Sequence, residues 1–425
     1  MSSDARRPGG SITSPVSDSR LRGPGAIAVA MAVMNVSAYG FTIIAARVLG
    51  PKSYGALASL LATLLVIGVL QLSLQATAAR RISADPEHVA QIEKTVLAVT
   101  YRASLAIGLV LLVLTPLVNR VLKLDSLATA ALVAVAAVPL TMMGGQAGVL
   151  QGERRWWPLA IMYIASGLPR LVIGTALILW HPNETAAMLG VALGAVPPVI
   201  LGWWALRSKR VPGVTSEKHG IRLVLREALH NSQALLAFFA LSNADVVVAR
   251  NVLPEHDAGL YAGGLILAKA VLFLPQFVIV VAFPSMSAAD ERRRALTRSL
   301  LLVGGLGICA TLGALVLKDL ALVFVGGDEY SEIVSKLWVF AILGTALSML
   351  QLLVYSVLAR QGRRPVYLVW AAFATVVGVG YFVTSLGALI TLVVITDVVL
   401  FALLLALSLY TLPKAAEPET DQTIG

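Results

Sequence analysis

The chain has 425 residues, 58% of them hydrophobic and only 13% charged, with a mean hydropathy of +0.83. Soluble domains carry about twice that charged fraction, so a water-soluble core is excluded and a polytopic membrane protein is expected. The formal net charge of +10 raises nucleic acid as a partner until its distribution is examined, and the single Cys309 excludes an internal disulfide and a cysteine-rich metal site.

Residues 1–23 are rich in Ser, Pro, Gly and Arg and have almost nothing to bury, which predicts a disordered tail. They do not read as a signal peptide, because the apolar run that follows is too long for one and leads into a charged turn. That run, 25–46, carries no charge. At about 1.5 Å per helical residue it reaches roughly 33 Å, enough to span a bilayer. Next comes Arg47-Val-Leu-Gly-Pro-Lys-Ser-Tyr54-Gly55, then a second apolar run. Gly50-Pro51 stops the first helix, since proline cannot continue it and glycine takes the left-handed turn that ends it. The stretch is expected to be a short hairpin between two membrane helices.

Similar runs predict helices over 25–46, 54–76, 100–121, 126–148, 157–180 and 184–206. After a basic linker they continue over 229–252, 257–283, 296–317, 333–358, 365–385 and 388–411. Lysine and arginine test this count. With the amino terminus in the cytoplasm, cytoplasmic segments hold 24 of them and the opposite side seven, with Arg170 and Lys269 left inside the bilayer. The bias obeys the positive-inside rule, places both termini in the cytoplasm, and accounts for the basic excess without nucleic acid.

The design of the first hairpin returns in the second half. Leu49 and Gly55 match Leu253 and Gly259 at one constant offset, within Arg250-Asn-Val-Leu-Pro-Glu-His-Asp-Ala-Gly259-Leu-Tyr261. Val149-Leu-Gln-Gly-Glu-Arg154 is echoed by Leu358-Ala-Arg-Gln-Gly-Arg363 at nearly the same offset. Two similar halves follow, six helices each and therefore inserted in the same sense. The expected fold is all-α, with about twelve transmembrane helices in two parallel six-helix bundles around a central cavity. Its parts are a tail over 1–23, a lobe over 24–206, a cytoplasmic linker over 207–228, a second lobe over 229–412 and a tail over 413–425.

Four charges fall well inside predicted helices: Arg170, Asp245, Lys269 and Asp397. Each costs about 2.5–3.5 kcal/mol to insert, so each must face protein or water. Asp245 and Lys269 sit at similar depths on neighbouring helices. They make either a structural ion pair, or a cation facing the cavity beside a carboxylate that titrates or couples an ion. Lys269 and Gln276 share one helical face, Gln71 and Gln75 lie on the second helix, and Asn35, Tyr39 and Thr42 stripe the first. Arg170 follows Pro169, so it either bonds carbonyls freed by a kink or faces the cavity. Arg47 and Arg250 mark the outer ends of the first helix of each half. Gly190-xxx-Gly194 and Gly305-xxx-Cys309-xxx-Gly313 read as packing faces. No phosphate-cradling Gly-Lys-Ser/Thr loop, metal constellation or serine nucleophile motif stands out, so no cofactor and no enzyme activity are expected.

Ala46-Arg47-Val-Leu-Gly-Pro-Lys-Ser-Tyr54-Gly55 resembles the opening hairpin of polysaccharide-biosynthesis flippases in the multidrug/oligosaccharidyl-lipid/polysaccharide exporter superfamily. Asp257-Ala-Gly-Leu-Tyr261-Ala with Phe283-Pro284, and Leu358-Ala-Arg-Gln-Gly362-Arg, resemble that family's second-half stretches. The resemblance implies alternating access by two lobes and a cargo of oligosaccharide on polyprenyl diphosphate, moved from the inner to the outer leaflet of the plasma membrane. A diphosphate needs cavity cations, so the expected cargo-binding set is Arg47, Arg170, Arg250 and Lys269 with Gln71 and Gln276. Asp245 and Asp397 are the expected ion-coupling pair, for a proton or sodium. A multidrug or organic-cation antiporter of the same fold is the alternative. A membrane glycosyltransferase or polymerase is a third reading, set against the lack of a long outer loop.

Overall fold

The computed structural model describes residues 24–207, 216–272, 292–358 and 364–410. Among these residues there are helices and no strands. We number the helices α1 (Pro24–Ala84), α2 (Val89–Val113), α3 (Thr115–Val121), α4 (Leu127–Gly152), α5 (Trp156–Trp180), α6 (Glu184–Gly194), α7 (Val196–Leu206), α8 (Ile221–Val252) and α9 (Glu255–Leu272). Then come α10 (Arg292–Val316), α11 (Lys318–Val325), α12 (Leu337–Leu358), α13 (Arg364–Gly380) and α14 (Leu386–Tyr410).

The 61 residues of α1 are two spans joined at Gly50, whose φ of 68° and ψ of 173° leave the helical region. A φ of that sign is cheap only for glycine, and Pro51 pre-sets the first turn of the next limb. The first limb packs beside α5, with Met34 on Gly167 and Phe41 on Gly174. The second packs beside α4, with Gln71 on Gly144, Gln75 on Gly148 and Ile82 on Gly152. Because α4 and α5 reverse direction across Glu153–Arg155, the two limbs of α1 are antiparallel and the predicted hairpin is present.

Other breaks follow the same chemistry. Pro116 sits in the first turn of α3 and splits it from α2 at Leu114; Pro197 does the same between α6 and α7. Ser126 and Asn183 cap α4 and α6 by accepting from Ala128 N and Ala186 N. Among the described residues nine helices are long and apolar enough to cross a membrane. Splitting the first at Gly50 and adding the shorter α13 gives eleven of the twelve expected spans, and the remaining one, 257–283, is described as α9 up to Leu272. Three helices extend well beyond the sequence reading, and one of them is α2, which begins at Val89 rather than 100. The second limb of α1 runs on to Ala84, and α8 begins at Ile221 rather than 229. The latter two extensions carry charges (Arg80, Arg81, Arg222, Arg226 and Glu227) that hydropathy assigns to a linker, yet a helix continues through charged residues once its end leaves the bilayer.

The turns divide between two faces. The hairpin face carries Gly50, Leu122–Ser126, His181–Asn183 and Leu253–Pro254; the linker face carries Asp85–His88, Glu153–Arg155 and Ser216–Gly220. Exposed aromatics ring both levels, with Trp157, Trp203 and Trp204 toward the linker face and Trp180, Tyr381 and Phe382 toward the hairpin face. Exposed Leu105, Leu109 and Leu112 between them form a lipid-facing surface.

The lobes meet where α1 packs on α8 and α9. Gly55 and Gly259 are not merely equivalent in sequence: they touch, on the hairpin face. A Cβ built on Gly55 lies 2.9 Å from Gly259 Cα, and one built on Gly259 would collide with Pro51 O. Only glycine at both positions allows this backbone approach. Around it Lys52 pairs with Glu255 at 2.9 Å, Tyr330 donates to Ala46 O and stacks edge-on against Tyr54, and Tyr330 covers Gly263.

The small-residue faces are half as expected. Gly190 packs on Gly174 and Gly194 on Arg170 Cα, whereas among the described residues nothing lies within 4 Å of a Cβ built on Gly305 or Gly313, and Cys309 is exposed. The contact on α10 falls instead at Gly307, against Thr345.

In a Cys309→Ser background, Lys52→Cys with Glu255→Cys is expected to cross-link with a short bifunctional thiol reagent. Adding Gly259→Val inserts volume at a site that tolerates none, a cost of about 1–3 kcal/mol to the closed contact. Cross-linking should then fall several-fold at equal protein level. Undiminished cross-linking would mean the Gly55–Gly259 approach does not hold the lobes together.

Candidate functional site

The charged residues predicted inside the bilayer resolve into one cluster in each lobe, beside the surface where the lobes meet. In the first lobe, Arg170 projects from α5 next to the first limb of α1. Its guanidinium carbon lies 5.1 Å from the centre of the Phe41 ring, and Tyr54 is within electrostatic range. The side chain is half-buried, and Nε is fully covered with no acceptor. No carboxylate or carbonyl among the described residues accepts from the guanidinium. The reading in which Arg170 satisfies carbonyls freed by Pro169 therefore finds no partner in the structure. Burying a cation without a hydrogen-bonding partner is costly, and a face of aromatic ring offsets only part of that.

In the second lobe, Lys269 on α9 donates to Asn243 Oδ1 at 3.1 Å. Asp245 is two residues beyond Asn243 on α8, buried, and engaged elsewhere: Oδ2 accepts from Tyr261 Oη at 2.8 Å, and Oδ1 from Val246 N at 2.8 Å. The expected direct pair between Asp245 and Lys269 is thus absent. Asn243 stands beside the lysine, and the two charges sense each other at longer range. Asp397 on α14 is buried near Asp245, and among the described residues neither of its oxygens has a hydrogen-bond partner. Asp245, Tyr261 and Asp397 therefore form one group spanning α8, α9 and α14.

Tyr39 joins the two lobes. From the first limb of α1 its hydroxyl donates to Ile266 O on α9, one turn before Lys269. Of the polar stripe Asn35, Tyr39 and Thr42, Tyr39 crosses to the other lobe, while Thr42 bonds back to Ala38 O within its own helix.

The remaining predicted residues lie elsewhere. Arg250 is buried on the hairpin face, where Nε and Nη2 donate to Leu122 O and Lys123 O at 3.0 and 2.9 Å. Asn251 donates to Val121 O and Lys123 Nζ to Asn251 O, so the end of α8 is sewn to the α3–α4 turn. Arg47 is exposed on the same face, over the Gly327 turn. Gln71 is half-buried against Gly144, and its neighbour Gln75 donates to Gln151 and Tyr163. Gln276 lies outside the described residues, as does the stretch after Leu358. Sequence reading missed Tyr261 and Tyr330. Tyr261 lies in the hairpin echo itself, but nothing in an apolar helix marks which tyrosine will meet a carboxylate.

The comparisons fit this architecture. A family model described as polysaccharide biosynthesis protein matches residues 21–290. The chain belongs to that family. Among solved structures, it resembles the lipid II flippase MurJ in an inward closed conformation, with a TM-score of 0.72 at 12% identity over 91% of this chain and 88% of that one. It also resembles an inward-facing multidrug-resistance MATE transporter of the MOP superfamily. There the TM-score is 0.70 at 15% identity over 91% of this chain and 96% of that one. No curated protein sequence matches. The family and fold make the chain a multi-pass membrane protein of the polysaccharide-biosynthesis family.

Among the described residues Asp397 has no hydrogen-bond partner, so no bond of its carboxylate holds the described helices of the second lobe together. Asp397→Asn is expected to leave the thermal transition of the purified protein unchanged or to raise it, by an amount corresponding to about 0.5–2 kcal/mol. A drop of many degrees would show that the carboxyl is a structural tie.

Proposed function

We propose that this chain is a flippase for a polyprenyl-diphosphate-linked oligosaccharide, moving it from the inner to the outer leaflet by alternating access. The observation that carries the proposal is the state of Arg170: a cation kept beside the lobe interface with no acceptor among the described residues, in a member of a polysaccharide-biosynthesis family. A guanidinium left unpaired at the cost of burial is suited to an anion that arrives, and a diphosphate presents oxygens that its fork matches. Lys269 is the second cation on this reading, held by a neutral amide rather than neutralised by a carboxylate.

The lobes over 24–206 and 229–412 are taken as the rocking bodies and 207–228 as the connection between them. The positive-inside bias makes the hairpin face the outer one. Then Gly55–Gly259, Lys52–Glu255, Tyr330 and Arg250 constitute a closed outer seal. Arg47 and Arg250, first read as cargo ligands, fit this seal better than a binding cavity. Asp245, Tyr261 and Asp397 are the proposed coupling group, for a proton or sodium. A buried carboxylate without a partner is the group whose charge must change or be matched during a cycle.

The cation-antiporter reading keeps one supporting observation, the paired burial of Asp245 and Asp397. It predicts that Asp245→Asn abolishes drug efflux and leaves glycan export untouched. The flippase reading predicts the reverse emphasis. Arg170→Gln should abolish surface glycan at normal protein level and detergent monodispersity, and Arg170→Lys should recover only part of it. Normal export by well-folded Arg170→Gln and Lys269→Gln variants would remove the cations from the cargo site.

Sidedness is tested separately. Reporter fusions at Gly220 and near Pro254 are expected on opposite sides, with Gly220 cytoplasmic. Same-side signals would overturn the topology.

A further inference from the structure

On the linker face, three ligand-type side chains from two separate segments converge away from the transport site. Asp85 and His88 bracket the 3₁₀ turn Pro86–His88, and His219 ends the 3₁₀ turn Glu217–His219 next to α8. His88 Nδ1 lies 2.7 Å from Asp85 Oδ1, and His219 Nε2 lies 2.9 Å from Asp85 Oδ2. The two imidazole rings are 5.4 Å apart between centroids, and one ligand atom from each of the three residues fits within 4.8 Å of the others. All three are half-buried or buried.

We propose that Asp85, His88 and His219 form a site for a divalent transition metal of the zinc class, which ties the segment between the lobes to the first lobe. Two imidazoles and a carboxylate are borderline-soft donors that suit such an ion, and three protein ligands leave a fourth position for water. Ligand atoms in a tetrahedral site with bonds of about 2.0–2.1 Å stand about 3.3 Å apart. The closest donors, 2.7 Å apart, must separate a little and the widest, within 4.8 Å, must draw together, so the rings and the carboxylate reorient when an ion binds.

The scaffold holds these donors in place by other means. Pro86 fixes the turn between Asp85 and His88. On the other side, Ser216 N donates to Gln91 Oε1 at 2.7 Å and Gln91 Nε2 donates to Ser216 O at 2.8 Å, which anchors the segment leading to His219. Arg81 donates to Lys218 O and pairs with Glu227, while Arg80 pairs with the same carboxylate. Glu227 thus offsets much of the positive charge that would repel a cation.

One contact must yield. Arg81 Nη1 lies 3.3 Å from His219 Nδ1, which makes Nδ1 an acceptor and puts the ring proton on Nε2. Metal at Nε2 moves that proton to Nδ1, and Arg81 then keeps Lys218 O and Glu227 alone. His88 shifts its proton from Nδ1 to Nε2 in the same way. Neither shift changes the net charge of the rings, and no redox step is involved.

The test uses full-length protein purified in detergent and stripped with a chelator. Cobalt titration should give one equivalent of bound ion with visible absorption bands characteristic of tetrahedral coordination, and zinc should displace it. Zinc should raise the thermal transition of the parent protein. His219→Ala and His88→Ala should each weaken binding about 10–100-fold. Their metal-free thermal transitions report on folding, and Gln91→Ala serves as a variant that perturbs the segment without removing a ligand. Glycan export plays no part in the readout, so a failed flippase reading leaves this result interpretable. The inference is overturned if the parent binds no more cobalt than the His88→Ala/His219→Ala double variant, or if cobalt binds without tetrahedral bands.

Discussion

The structure turns on one backbone contact. Two hairpins, one from each half of the chain, approach until Gly55 and Gly259 touch and Pro51 O sits where any side chain on Gly259 would be. This constraint is steric rather than energetic in the usual sense, since neither residue has a side chain to contribute. Its effect is to let polar partners at the same level reach across: Lys52 to Glu255, Arg250 to Leu122 O and Lys123 O, and Tyr330 to Ala46 O. They differ in strength. Lys52–Glu255 is exposed and worth little. Arg250 is different, because it is buried, and each charge-assisted bond to a carbonyl is worth about 1.5–3 kcal/mol. Opening the hairpin face therefore requires a second set of acceptors for Arg250, or water.

How much of this was legible in the sequence differs by physical cause. Helix number and alternation were legible, because the bilayer fixes the length of a span and punishes charge at its centre. The repeat was legible because Gly55 and Gly259 sit where two helices touch backbone to backbone, a place no larger residue can fill. The helix ends were not. Hydropathy stops at the bilayer surface, while the α1 and α8 helices continue beyond it and present Arg80, Arg81 and Glu227 to one another. Side-chain partners across the lobes were also out of reach. Asp245 and Lys269 have the right depth to pair, yet Tyr261 and Asn243 stand in the nearer positions. Small-residue spacing was equally ambiguous: Gly190 and Gly194 do pack, while on α10 the contact residue is Gly307, on a different face from Gly305 and Cys309.

The two lobes are alike in path and unlike in chemistry. The first holds a cation, Arg170, against the Phe41 ring, with no acceptor among the described residues. The second holds a lysine, an amide and two carboxylates, one of which has no hydrogen-bond partner among the described residues. A parallel repeat provides the shape for rocking, but it is this asymmetry that gives the two lobes different ligands to respond to. On the proposed function the anionic headgroup acts on the first lobe and on Lys269, and the coupling ion acts on the second.

That division has a consequence for how coupling would work. Lys269 lies at the boundary of both groups, bonded to Asn243 and within range of the Asp245 charge. When a cation or proton satisfies the carboxylates, the positive charge of Lys269 is no longer offset and its attraction for phosphate oxygens rises. When the carboxylates are free, they draw on Lys269 and the attraction falls. The two ligands then favour each other's binding without touching, and by linkage the effect is reciprocal. Tyr39 adds a geometric term, since its bond to Ile266 O fixes the first lobe to the turn of α9 just before Lys269. Any motion that opens the lobes along α1 and α9 must break that bond first, so the position of the lysine and the closure of the interface change together.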